Sequence, residues 1–228
     1  MREIVLDTET TGLDPAQGHR IVEIGAVELF NHVATGKTYH VYLNPERDMP
    51  KEAEAVHGLS SEFLKDKQLF AHQAEDFLAF IGDATLVIHN AGFDMSFINA
   101  ELGYIGKLAV PMDRVIDTLG LARKSHPMGP NSLDALCRRY GIDNSRRIKH
   151  GALLDSELLA EVYLEMIGGK QTSFGLGDMP RRGKSVFTVV GSLQISRPAP
   201  LAPRFTEEER QAHIAAVIAL GPQALWNS

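Results

Sequence analysis

Apolar and polar positions along this chain follow two periods, and the points where the period changes mark its elements. Ile4, Val5 and Leu6 open a buried strand that runs into Asp7-Thr8-Glu9-Thr10, and Thr11-Gly12-Leu13-Asp14-Pro15 reads as a turn. Ile21 to Leu29 alternates and predicts a second strand, and Thr38 to Leu43 predicts a third. The links between these strands are too short for crossover helices, so the three form an antiparallel meander. Ser61 to Ile81 reads as one helix with Phe70, Ala74, Phe77 and Ile81 along one side. Thr85 to Ile88 is a continuous apolar run, as expected of a strand buried on both faces.

The pattern then alternates between helix and strand. A helix carries Phe97, Ile98 and Leu102, Val115-Ile116 makes a short fifth strand, and Thr118 to Lys124 is helical. Asn131 or Ser132 caps a further helix that Gly141 ends, and Leu153 to Ile167 is a last helix stopped by Gly168-Gly169. The expected fold is an α/β domain over 1–170, a mixed five-stranded sheet with helices on both faces. Residues 171–204 are rich in Gly, Ser, Pro and Arg without sustained period. They are open to a stray strand at Phe187-Thr188-Val189-Val190, but a flexible linker spanning roughly 30 Å is favoured. In 205–228, Thr206 with Glu209 matches a capping box, and Glu207 to Leu220 reads as a helix. Its apolar residues Ile214, Val217 and Ile218, with Leu225 and the single tryptophan Trp226, need a surface to bury against.

Composition and charge narrow the choice of partners. The 228 residues carry a net charge of −6, which argues against a protein that coats long duplexes by phosphate contact. A short nucleic-acid end, with cations neutralising the phosphates, remains open. One cysteine, Cys137, excludes an internal disulfide, fits a reducing compartment and falls on a core-facing helical position. The polar start Met1-Arg2-Glu3 offers no signal peptide and no apolar run reaches spanning length, so a cytoplasmic protein without membrane contact is expected.

The candidate chemistry lies in three places. Asp7 and Glu9 are two apart on a strand and so share one side, with no basic residue between them. Like charges held that close call for a hard divalent cation, unless the strand simply ends in solvent. Asp94 follows the buried strand at the start of a helix, where an N-cap aspartate is the plain alternative. His150 and Asp155, five apart, would sit about 140° apart on one helix. They converge only if His150 lies on the loop before the helix and Asp155 projects from its first turn. A histidine so placed suits a general base.

Taken together, Asp-x-Glu, Asn-Ala-x-Phe-Asp and His-x4-Asp resemble the DEDD-type 3′–5′ exonucleases in the branch with histidine in the last motif. The runs Asp7 to Gly12, Ile24 to Glu28, Val56 to Gly58, His89 to Asp94, Asn131 to Cys137 and His150 to Asp155 are similar to the epsilon-type proofreading subunits of bacterial DNA polymerase III. The resemblance covers the domain to about residue 170 and extends more weakly to Leu225-Trp226. It implies a ribonuclease-H-like fold and two divalent ions, Mg2+ or Mn2+. Asp7, Glu9 and Asp155 hold one ion, Asp7 bridges to the second with help from Asp94, and His150 is the catalytic base. The substrate pocket it implies is Asp7, Glu9, Thr10, Glu52, Ala53, Val56, His57, Phe93 and Asp155, with Leu13 as a wedge. For His57 a local turn bond before Gly58 is the alternative, and Phe93 could equally be core.

The partners implied are the single-stranded 3′ end of DNA, a replicative polymerase catalytic subunit bound through 205–228, and a sliding clamp bound through Gln171 to Leu176. They would place the chain at the replisome on the nucleoid. A stand-alone exoribonuclease of the oligoribonuclease kind, or a mainly structural polymerase subunit, are the rival readings. The remaining histidines, His19, His32, His40, His72, His126 and His213 among them, are expected on the surface or in turns.

Overall fold

The computed structural model describes residues 1–168 and 206–219, which fall in two units, the α/β domain and a C-terminal helix. The domain is built on strands β1 (Arg2–Thr10), β2 (Ile21–Phe30), β3 (Val33–Tyr42), β4 (Thr85–Ile88) and β5 (Val115–Asp117), in the order β3-β2-β1-β4-β5. β1 pairs antiparallel with β2, and β2 with β3, which is the expected meander. β4 lies parallel to β1, and β5 parallel to β4. Helices α1 (Lys51–His57), α2 (Ser61–Leu64), α3 (Phe70–Ile81), α4 (Ala91–Tyr104), α5 (Thr118–Ser125), α6 (Leu133–Tyr140) and α7 (Ala152–Met166) complete it.

Alternation along β1 sorts the core into two layers. Ile4 and Leu6 pack with Phe77, Phe97 and Ile98 from α3 and α4. Val5, on the opposite face, packs with Leu136 and Cys137 of α6 and with Leu158 and Val162 of α7. Both faces of β1 are therefore buried, which explains its unbroken apolar start. Continuing the alternation puts Asp7 and Glu9 on the side of α7, and Thr8 on the side of α4.

Three elements differ from the sequence pattern. The expected helix from Ser61 to Ile81 is two helices, because Gln68 leaves the helical path to bridge Leu43, and the Asn44 side chain donates to the Lys65 carbonyl at 2.8 Å. Its apolar period belongs to α3 alone, while Leu64 packs in a separate cluster with Val22 and Met49. α1 is an additional helix, one too short to show a 3.6-residue repeat. β3 begins at Val33 rather than Thr38, since its first residues form an exposed edge that carries no apolar signal.

The capping box is present at the C-terminal helix α8 (Glu207–Ala219). Glu209 accepts from the Thr206 amide at 2.7 Å, and Thr206 Oγ1 accepts from the Glu209 amide at 3.2 Å. Ile214 and Ile218 on this helix are exposed. The linker, Gln171 to Leu176, Phe187 to Val190, and Leu225-Trp226 lie outside the described residues.

Candidate active site

Close packing of α7 on β2 brings the acidic run of β1 and the His150-to-Asp155 motif together at one spot. Gly25 pairs with Asp7 across β1 and β2, and a Cβ at Gly25 would come within 2.1 Å of the Leu153 amide nitrogen. The bare glycine lets the first turn of α7 rest on the sheet beside Asp7, and Ser156 Oγ fixes it there with a 2.9 Å bond to the Gly25 carbonyl. Asp155 thus faces the side of β1 that carries Asp7 and Glu9. Between Glu9 and Thr10 the β1–β2 register slips, and the bulge turns the chain into the 11–15 loop.

Asp94 arrives from the other layer. It lies in the first turn of α4, not at its N-cap; that position belongs to Asn90, in the left-handed conformation with φ 63°. Asp94 Oδ1 accepts from the Thr8 amide at 3.0 Å and from Thr8 Oγ1 at 2.7 Å, so the strand itself holds the carboxylate. His150 stands on the segment before α7, as its spacing from Asp155 required, and its amide donates to the Val56 carbonyl at 3.2 Å. That bond ties the histidine to α1, across the site.

These residues line one cleft of about 1330 Å³. Asp7, Glu9, Thr10, Glu52, Ala53, Val56, His57, Phe93, Asp94, His150 and Asp155 are all on its wall, together with Leu13. His57 lines the cleft and also makes the local turn bond. Its Nδ1 accepts from the Leu59 amide at 3.0 Å, a local turn bond, while its buried Nε2 finds no hydrogen-bond partner at normal geometry. Phe93 packs against Phe97 with ring centroids 5.1 Å apart and also reaches the cleft. His19, expected on the surface or in a turn, lies in the loop just after the Pro15–Gln17 turn and also lines the cleft, its ring seated against Gly12 and its Nδ1 3.1 Å from Thr11 Oγ1. His32 and His40 pair with the buried carboxylates of Glu3 and Glu23 at 2.9 and 2.7 Å.

The electrostatics are those of a site built to receive positive charge. Burial raises the Asp7 carboxyl well above its ordinary range, helped by the charges of Asp94, Glu9 and Asp155. Burial, then Asp155 and Glu23, push Glu9 up to about 8, and burial pushes Asp94 up to about 7 despite the bonds from Thr8. Donor atoms of Glu9, His150 and Asp155 lie within 4.8 Å of one another, a set that fits a divalent cation. Asp7 and Asp94 line the same cleft without belonging to that set. Mainly carboxylate oxygens favour a hard ion such as Mg2+ or Mn2+.

Sequence reasoning missed one residue at the centre of this arrangement. Arg147 donates to both oxygens of Asp155 at 2.6 Å and to Asp134 Oδ2 at 2.9 Å. Nothing periodic relates it to Asp155. The only available sign was an arginine three residues before His150 in an otherwise acidic constellation.

Comparison with known proteins gives the same direction. Residues 4–163 match the family described as Exonuclease. DNA polymerase III subunit epsilon of Rickettsia typhi is 52% identical over 217 residues, covering 93% of this chain and 94% of the relative. The protein of the same name from Escherichia coli K12 is 53% identical over 180 residues, covering 75% of this chain and 73% of its own. Among solved structures, the nuclease domain of 3′hExo, a DEDDh family member bound to rAMP, superposes with a TM-score of 0.62 at 18% identity, covering 73% of this chain and 91% of its own. Exonuclease X in complex with 5′ overhanging duplex DNA superposes at 0.56 with 23% identity, covering 72% and 90%. At those identities the structures establish the shared ribonuclease-H-like fold.

Proposed function

This chain belongs to the exonuclease family, among the epsilon subunits of bacterial DNA polymerase III, and on that premise we propose that it is the proofreading 3′–5′ exodeoxyribonuclease of a replicative polymerase. It hydrolyses the terminal phosphodiester of a single-stranded DNA 3′ end and releases a nucleoside 5′-monophosphate. The observation that carries this reading is the convergence of Glu9, His150 and Asp155 within 4.8 Å on the wall of a cleft that also holds Asp7 and Asp94.

In this reading Asp7, Glu9, Asp94 and Asp155 would hold two divalent cations, Mg2+ or Mn2+, whose positive charge would assist an in-line displacement at the terminal phosphorus. His150 takes the proton of the water whose oxygen attacks the terminal phosphorus. The bond from phosphorus to the 3′-oxygen of the penultimate nucleotide breaks. Thr10, Glu52, Ala53, Val56, His57 and Phe93, all on the cleft wall, seat the terminal nucleotide. Residues 205–228 bind the polymerase catalytic subunit, and Gln171 to Leu176 contact the sliding clamp. The protein works in the cytoplasm, at the replisome.

A single-stranded DNA oligonucleotide labelled at its 5′ end, with RNA of the same sequence beside it, tests the activity. With Mg2+ the DNA shortens stepwise from the 3′ end, chelator stops it, and Asp7→Asn abolishes it. Undiminished degradation by Asp7→Asn, or a strong preference for RNA, refutes the proposal. For His150→Gln we expect kcat to fall by roughly 10²–10⁴-fold with KM little changed.

A further inference from the structure

Arg147 lies on the segment between α6 and α7, its side chain only 7% exposed on the cleft wall. Nε donates to Asp155 Oδ1 and Nη2 to Asp155 Oδ2, each at 2.6 Å, so the guanidinium fork spans the whole carboxylate. Nη1 reaches Asp134 Oδ2 at 2.9 Å and Nη2 also reaches His150 Nδ1 at 3.0 Å. One planar cation therefore holds two of the three residues whose donor atoms fit a divalent ion.

This contact constrains the histidine. An arginine only donates, so Nδ1 of His150 must accept, and in the neutral ring the proton then sits on Nε2. The fork constrains Asp155 in the same way, since any second cation at that carboxylate meets the guanidinium already there.

We propose that Arg147 is the resident counter-charge of the site: its fork holds the Asp155 carboxylate, and a divalent cation that binds Asp155 must compete with the guanidinium for it. The inference rests on the nuclease reading above and adds a residue to it. Arginine suits the task because a planar fork can cover both carboxylate oxygens and still reach a third group, whereas a lysine is a single point charge.

The test uses the full-length protein, labelled with 15N. In chelator, the Arg147 Nε–H resonance, assigned by its loss in Arg147→Lys, exchanges slowly with water, and His150 Nδ1 has the shift of an unprotonated acceptor. Saturating Mg2+ should shift or exchange-broaden the Arg147 resonance and change that of His150 Nδ1. Arg147→Gln, read by electron paramagnetic resonance of free Mn2+, should bind Mn2+ about ten-fold more tightly than wild type, because the competing charge is gone. Should that variant fail to fold, the wild-type titration decides alone. If Mg2+ raises the Tm of wild type but not of Asp155→Asn while both Arg147 and His150 signals stay fixed, the counter-charge idea is wrong and the nuclease reading survives. If Mg2+ alters neither Tm nor spectrum, both are wrong.

Discussion

Glu9 and Asp94, pushed up to about 8 and about 7 from 4.5 and 3.8, make the domain's stability depend on pH in a direction opposite to that of most carboxylates. A group whose pKa is raised by folding binds more protons in the native state, so its contribution is full at low pH and is lost as pH rises through the folded value. His57, His89 and His150 act the other way, because burial lowers them from 6.5, and their opposing effect fades as pH rises above that unfolded value. Between pH 7 and 9 the carboxylates therefore dominate. In chelator the urea midpoint should fall across that window, excess Mg2+ should flatten the fall, and Glu9→Gln should reduce it. A chelated midpoint that stays level or rises would contradict this assignment of charge. Asp7 and Glu9 were legible in the sequence because strand alternation alone puts them on one side, and His150 was legible through the angle that five helical residues subtend. Arg147 and His19 were not, since each reaches the cleft through a tertiary contact that leaves no spacing signal.

At the level of elements, the site exists because α7 lies unusually close to β2, and Gly25 is the residue that permits it. Gly25→Val places atoms where the Ala152 carbonyl carbon and the Leu153 amide already stand, 2.2 and 2.1 Å from the added Cβ. The first turn of α7 must lift away, at roughly 1–3 kcal/mol of stability as for other overpacked positions. Asp155 lifts with it, so Mn2+ affinity should fall together with stability. Gly92→Ala is the control, being helical with nothing within 4 Å of the new Cβ, and should leave stability unchanged or raise it by up to about 1 kcal/mol. Equal loss of Mn2+ affinity in the two variants would show that Gly25 is no special contact. The periodic helix α3, the long apolar helix α7 with its glycine stop, and the buried run of β4 were readable because burial imposes their composition and pattern. α1 and the outer half of β3 were not, the one because seven residues cannot show a repeat, the other because an exposed edge has no apolar face.

For the whole molecule, the charge balance makes attachment part of the function proposed for it. A chain at −6, with Arg123 and Arg147 the only lysine or arginine side chains on the cleft wall among the described residues, has little with which to collect a phosphate backbone from solution. Its affinity for free DNA should be low and only weakly dependent on salt, because few counterions are released. Tethering to a polymerase replaces that missing affinity with a high effective concentration at the 3′ end. On α8, Ile214 and Ile218 are exposed apolar side chains of the kind such an attachment buries. Ile214→Asp with Ile218→Asp should therefore leave the rate on a short single-stranded oligonucleotide unchanged. The same variant should lose copurification with the polymerase catalytic subunit, and removal of a mismatched primer end by the reconstituted pair should fall to the rate of the unattached nuclease. Full retention of the polymerase by this variant would move the attachment away from α8. A matching loss on the free oligonucleotide would instead make the helix part of the nuclease itself.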